Sequence, residues 1–329
     1  MRFGIGCPPK ESGQSAEAIA RTVQRAEDCG FNEAWVGDSQ GIWQDLYVCI
    51  TLCAVRTRRI RLGVGVTNLI TRHPAVTARA MATLDEVSGG RALLGFGAGD
   101  TALKHLGLKP SSLKDMEEGI LLIRGLLAGE DGQYQGNTIP RFTGFQPRKV
   151  PIYLACYGPK MLELAGRVTD GVNVPTGISP ELIQYALGRI ESGRRAAGRD
   201  PASVAVAFQV GCSIREDGDR AREDVKSWAA RRALSPIPLS ILGITREEAE
   251  GFRRAYRISD HLVPHAPHSA AVRKDWADSL SLAGTPEECI EKLHALEEQG
   301  IDQVVLVPAT QDSEAMLKVF EKRILPRFA

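Results

Sequence analysis

Asp38 and Ser39 follow the run Glu33-Ala34-Trp35-Val36-Gly37 and so stand at the carboxyl end of a predicted strand. In an α/β protein that is the end at which ligands bind. A carboxylate there either caps the next loop, the commoner fate of such residues, or turns its charge toward a bound molecule. Glycine-bearing loops follow three further predicted strands: Gly97-Ala98-Gly99 after Ala92–Gly95, Tyr157-Gly158-Pro159-Lys160 after Pro151–Cys156, and the stretch from Asn173 through Thr176 to Gly177. Backbone N–H groups at a helix start bind anions, and Gly158-Pro159-Lys160 offers a helix amino terminus with a cation beside it. Each loop alone is a weak signal, since βα turns use glycine for geometry. Their recurrence after successive strands gives them weight.

Other chemically capable residues carry less. His261, His265 and His268 in HLVPHAPH invite a metal reading, but two prolines interrupt them and no matching carboxylate or cysteine cluster accompanies them, so no metal site is expected. A loop partly covering the site fits the segment better. The seven cysteines, Cys7, Cys29, Cys49, Cys53, Cys156, Cys212 and Cys289, are scattered and lack a C-x-x-C pair, which suits reduced thiols in a cytosolic protein. Cys49 and Cys53, one helical turn apart, read as core thiols. Arg58-Arg59 and Arg231-Arg232 read most simply as solvated faces.

The elements that must position these residues alternate. Leu62, Val64 and Val66 mark a buried strand ending at Thr67-Asn68; Pro74 opens a helix over Ala75–Val87 that Ser88-Gly89-Gly90 stops. Before them come a strand at Phe3–Cys7, a helix at Ser15–Cys29, and a helix at Leu46–Arg56. After them come a helix at Ser112–Leu127, a hairpin-like excursion at Gln133–Val150, helices from Gly158 to Val168 and from Pro180 to Ala197, and strands at Gly171–Val174 and Val204–Cys212. From Glu216 to about Leu282, helical segments broken by prolines are expected, with no strand. Thr285-Pro286-Glu287-Glu288 caps a helix to Gln299, Gln303–Val307 is the eighth strand, and a helix at Ser313–Ile324 follows. Eight β/α units in 329 residues predict an α/β fold, a (β/α)8 TIM barrel forming one domain over 1–329 with a helical insertion after strand seven, about 216–282. A doubly wound dinucleotide fold is disfavoured, because no G-x-G-x-x-G follows the first strand.

Composition excludes several classes. A formal charge of +1 leaves no electrostatic footprint for nucleic acid or anionic membrane. MRFGIGCPPK lacks a signal-peptide apolar region, and no apolar run is long enough to span a bilayer, so a cytoplasmic protein is expected.

Five blocks carry a resemblance: FGIG at Phe3 to Gly6, AEDCGFNEAWVGD at Ala26 to Asp38, the long block from Leu62 to Asp100, PIYLACYGPKMLELAGRVTDGV at Pro151 to Val172, and AGTPEECIEKL at Ala283 to Leu293. The chain resembles the bacterial-luciferase-like superfamily of flavin and deazaflavin enzymes, and within it the methylenetetrahydromethanopterin reductases that use coenzyme F420. The resemblance implies a non-proline cis peptide at Gly65-Val66, whose bulge backs the tricyclic ring. It places Asp38 near the deazaflavin, with Ser39 where relatives often have histidine, and makes Asn68 a polar contact, unless that residue only builds its turn. The loops 95–99, 158–161 and 173–177 then hold the ribityl and phosphate portion, and the polyanionic F420 tail would welcome basic residues such as Arg58-Arg59 and Arg231-Arg232 near the barrel mouth. Ser39, Tyr157 and the insertion histidines are the candidate proton donors. The reductases carry a glutamate at the end of strand one; this chain has Gly6, which argues against the same reaction on the same substrate.

The expected activity is hydride transfer between C5 of F420 and a small organic substrate, by an enzyme that family likeness makes a homodimer packed through helices near the second and third strands. The alternative is an FMN-dependent monooxygenase using dioxygen, and an outsider is a cofactorless barrel kept for binding.

Overall fold

The computed structural model describes residues 1–6, 15–144, 146–233, 235, 237, 239–257, 266–310 and 312–328. Its strands are β1 (Arg2–Gly6), β2 (Glu33–Val36), β3 (Arg61–Thr67), β4 (Ala92–Phe96), β5 (Gly132–Tyr134), β6 (Asn137–Ile139), β7 (Ile152–Ala155), β8 (Gly171–Val174), β9 (Ala205–Ile214), β10 (Ser281–Gly284) and β11 (Gln303–Pro308). Eight of them form a closed parallel barrel in the order β1-β2-β3-β4-β7-β8-β9-β11, with β11 returning to pair with β1. Strands β5 and β6 form a separate antiparallel hairpin within the expected excursion.

The helices are α1 (Ala16–Cys29), α2 (Leu46–Arg56), α3 (Pro74–Ser88), α4 (Thr101–Lys104), α5 (Leu113–Ala128), α6 (Pro159–Val168), α7 (Pro180–Ala196), α8 (Gly218–Ala233), α9 (Arg246–Ala255), α10 (Lys274–Leu280), α11 (Pro286–Glu298) and α12 (Ser313–Val319). Their starts are chemically explicit. Ser15 Oγ accepts from Ala18 N–H at α1, and Thr285 forms a reciprocal capping box with Glu288 at α11. Among the described residues no helix is long and apolar enough to cross a membrane.

Two elements depart from the sequence reading. A strand, β10, begins inside the stretch expected to have none. Strand β8 pairs with Ala205–Phe208 of β9, and β10 takes up the overhang from Gly211 to Ile214. Ser-Leu-Ala-Gly is too short to show a period, and the strand exists because a tertiary edge needs a partner. The last helix becomes a π-helical turn over Phe320–Ile324 after α12.

Inside the barrel, Trp35, Leu93, Tyr153, Ala207 and Val305 make a packed layer. Gly63 makes room for it: a Cβ there would lie 2.3 Å from Trp35 Cε3. The Trp35 indole N–H donates to Glu33 Oε2 at 3.1 Å, and Gln303 Nε2 donates to the same oxygen at 2.6 Å. Burial pushes the Glu33 carboxyl up, against the opposing charges of Arg61 and Arg2. The barrel is thus plugged below, so access is from the carboxyl ends of the strands. Helices α8, α9 and α10, between β9 and β10, gather a second apolar cluster including Ala229, Ala230, Phe252 and Trp276 against Leu182 of α7. This cluster holds α8 beside the barrel mouth.

Candidate active site

At the carboxyl ends of the strands lies a cavity of 390 Å³, within the usual range for small-molecule sites. One wall is the end of β3, Gly65 to Asn68, where a cis peptide joins Gly65 and Val66 and the register with β4 shifts between Val64 and Thr67. The expected cis bond is present. Facing it are Gly37, Asp38 and Ser39 after β2, Gly97 to Ala102 after β4, and Ala155 to Gly158 after β7.

Asp38 is half-buried, and its Oδ2 accepts a 2.6 Å hydrogen bond from the hydroxyl of Thr67, a fully buried residue. That bond ties the end of β2 to the end of β3 and aims the carboxylate. The Ser39 hydroxyl is buried and has no partner among the described residues. Asn68 spends its carboxamide oxygen on its own turn, accepting from the N–H groups of Ile70 at 2.9 Å and Thr71 at 2.8 Å. It therefore builds its own turn, and it also lines the cavity. Gly97 has little room for a larger residue, since a Cβ would lie 3.0 Å from Val66 Cγ2 and that methyl would have to shift; at Gly99, φ is +100° and a Cβ would sit 2.2 Å from Leu103 Cδ1. Backbone therefore forms much of this wall, as close approach of a flat ligand requires.

Of the residues singled out from sequence, Asp38, Ser39, Gly65, Val66, Asn68, Gly97, Ala98, Gly99, Tyr157 and Gly158 meet around this cavity. Pro159, Lys160, Asn173, Thr176 and Gly177 are outside its wall, although Pro175 belongs to it. Lys160 is exposed on α6. Asn173 Oδ1 and Thr176 Oγ1 are buried without a partner among the described residues, next to Pro175 in the chain. His261 and His265 lie outside the described residues, as does Cys7; His268 is buried with its ring edge-on to Tyr256 at 5.3 Å.

The sequence reading missed Trp43, Thr67, Asp100, Gln209, Trp228, Arg231 and Arg232, all in the wall. Arg231-Arg232 is a correction: Arg232 is only 3% exposed, not part of a solvated face. The usable signal was the spacing Trp228, Arg231, Arg232, which places an aromatic ring and two cations on one face of α8. Arg232 Cζ lies over the Trp228 ring at 4.4 Å. Burial, and then the neighbouring Arg231 charge, pull its guanidinium down to about 9, so it remains cationic at neutral pH. Burial pushes the Cys156 thiol up, keeping it protonated.

The polar and aromatic side chains of this wall are thus gathered at the carboxyl end of the barrel. A sequence model of the family described as luciferase-like monooxygenase matches residues 1–303. The chain is 35% identical to a 5,10-methylenetetrahydromethanopterin reductase of Methanolobus tindarius, over 99% of this chain and all of the relative. It is 28% identical to an F420-dependent glucose-6-phosphate dehydrogenase of Microbacterium testaceum, over 99% of this chain and 96% of the relative. The solved coenzyme F420-dependent tetrahydromethanopterin reductase of Methanopyrus kandleri superposes with a TM-score of 0.83 at 31% identity, covering 100% of this chain and 99% of that one. With a closed parallel barrel, flanking helices and matches along its whole length, the chain is a TIM-barrel member of the luciferase-like monooxygenase family.

Proposed function

We propose that this chain is an F420-dependent oxidoreductase that transfers a hydride between C5 of the deazaflavin and a small organic substrate. The observation that carries the proposal is end-to-end similarity to a reductase and a dehydrogenase that are both named for F420. The cavity fits such a group. Its wall is largely backbone at Gly65, Gly97 and Gly99, and the hydroxyl of Ser39, the indole N–H groups of Trp43 and Trp228 and Arg232 Nε are buried there without partners among the described residues. When bound, F420 supplies the two-electron donor or acceptor.

The chain supplies position and environment. Thr67 fixes Asp38, whose free oxygen accepts a hydrogen bond from ring or substrate. Gly65, Val66, Asn68, Gly97, Ala98, Gly99, Tyr157 and Gly158 form the surface against which the cofactor lies, and the loop around Asn173, Thr176 and Gly177, with Pro159 and Lys160, serves its tail. Trp43, Trp228 and Val307 exclude water. Ser39 and Tyr157 are the hydroxyl-bearing candidates for the proton. Gly6 stands where the methanopterin reductases carry their acid, and a Cβ there would lie 3.1 Å from Val307 Cγ2 and 3.4 Å from Gln209 Nε2, so a larger residue would require those side chains to shift. The substrate therefore meets an amide at that place, and a different substrate follows.

The enzyme belongs, on this proposal, to a reducing, cytoplasmic setting, which suits the buried unpaired thiols Cys29, Cys49, Cys53, Cys156, Cys212 and Cys289. It is one domain over its length and acts as a homodimer through α2 and α3. The support for that face is Val48, Val55, Val76 and Val87, which are 58%, 65%, 54% and 46% exposed there. The functional test is anaerobic incubation with reduced F420 and a panel of small carbonyl and imine acceptors. Acceptor-dependent return of oxidised F420 is expected. Turnover only with reduced FMN and dioxygen would reverse the assignment to a monooxygenase.

A further inference from the structure

Three arginines are buried among the described residues, and two of them have carboxylates. Arg194 is held by Glu191, with Nε to Oε2 at 2.7 Å. Arg222 reaches Asp278 at 2.9 Å and Glu288 at 2.8 Å. Arg232 is more buried than either and has no hydrogen-bonded acid among the described residues, although the Asp100 charge acts on it. Its only hydrogen bond among the described residues is a long one, 3.4 Å from Nη1 to the Pro175 carbonyl, and its Nε is buried with no partner. The adjacent Arg231 is committed to Asp100, which also pairs with Lys104. Three cations thus share one carboxylate at the edge of the cavity. Burying charge with too little counter-charge is expensive, and an excess of cations facing a ligand cavity suits a further counter-charge that arrives with the ligand. Stacking on Trp228 fixes the plane of the guanidinium, which leaves its fork for a two-point contact.

We propose that Arg232 is an oxyanion receptor in the cavity wall, taking a phosphate or carboxylate group that the ligand carries in. This rests on reading the cavity as the cofactor and substrate site, and it deepens that reading by naming a charge the ligand must bear. Two sources share the chemistry. One is the phosphodiester of the cofactor tail, consistent with the neighbouring Pro175 loop; the other is an anionic group on the substrate. A guanidinium fork recognises either by parallel N–H to oxygen bonds, which a lysine cannot reproduce.

The test uses the full chain as wild type, Arg232→Met and Arg232→Lys. Each is titrated calorimetrically with inorganic phosphate, with F420, and with the deazaflavin core that lacks the phosphodiester. Phosphate should bind wild type saturably, at least about tenfold more weakly to Arg232→Met, and with intermediate strength to Arg232→Lys. Loss of F420 affinity in Arg232→Met with unchanged affinity for the phosphate-free core assigns the group to the cofactor. Unchanged F420 affinity with Arg232-dependent phosphate binding assigns it to the substrate. Removing one of three cations that share a single carboxylate should leave Arg232→Met melting no lower than wild type, whereas a structural arginine would lower it. Phosphate and F420 affinities equal in wild type and both variants, or a lowered melting temperature in Arg232→Met, overturn the proposal. Failure of wild type to bind either F420 or FMN would instead remove the cofactor assignment, and the phosphate titration would still decide Arg232.

Discussion

Replacing Thr67 by valine isolates the bond that aims Asp38. Valine keeps the β-branched shape in a site with no exposure, and the Thr67 carbonyl that accepts Gly97 N–H at 2.9 Å is untouched. Only the 2.6 Å donation to Asp38 Oδ2 is lost. A hydrogen bond to a charged group contributes about 1.5–3 kcal/mol. Asp38 is half-buried and recovers some hydration from the open cavity, so the ligand-free protein should lose about 1.5 kcal/mol at most. With a ring closing the cavity, that water is unavailable, and the loss should reappear as affinity: about tenfold weaker F420 binding, equivalent to about 1.4 kcal/mol. Urea unfolding measures the first quantity and fluorescence titration the second. Asp38→Asn keeps an oxygen that accepts from Thr67, so the Thr67→Val and Asp38→Asn cycle should show a coupling of about 1 kcal/mol in binding. Wild-type F420 affinity in Thr67→Val, with no coupling to Asp38, would refute the claim that this bond positions the carboxylate.

Three further outcomes are expected. Gly63→Ala drives a methyl to 2.3 Å from the Trp35 ring and should cost about 1–3 kcal/mol in urea unfolding; Gly97→Ala, at 3.0 Å from a Val66 methyl, should weaken cofactor binding more than stability. The reverse ranking would misplace both glycines. Burial raises the Glu27 carboxyl, but the N–H groups of Ile60 at 2.7 Å, Arg59 at 2.6 Å and Arg58 at 3.0 Å outweigh it and hold its pKa below 4.5. Its stabilisation is therefore complete above that value and is lost as pH falls through the lowered native pKa. The stability gap between wild type and Glu27→Gln, about 1.5–3 kcal/mol at pH 7, should shrink toward pH 3, and a gap independent of pH would contradict this. Val48→Glu with Val55→Glu should convert a dimer to a monomer in sedimentation, whereas a monomeric wild type would remove the proposed interface.

The barrel was legible because its signals are local. Proline at a first helical position, Thr285 three residues before Glu288, and glycine after an apolar helix each specify an end without reference to the rest of the chain, and α3 and α11 fall where those signals put them. The cis bond at Gly65-Val66 came from resemblance, since no local pattern announces it. What stayed hidden depends on partners distant in sequence. Strand β10 exists because β9 overhangs β8. Gly63 looks like an ordinary strand glycine until Trp35 is placed against it. Thr67 and Gln209 are common residue types in strands, and only barrel closure brings them to the cavity. Arg231 and Arg232 look like a solvated charge run, because nothing local says that α8 turns that face toward the barrel mouth.

Calorimetric titration of the purified protein with F420 and, side by side, with FMN tests the central claim most directly. Micromolar or tighter F420 binding is expected, with FMN at least about tenfold weaker, a gap of about 1.4 kcal/mol. A preference for FMN by the same margin would contradict the deazaflavin assignment, and binding of neither would remove cofactor chemistry from the cavity altogether.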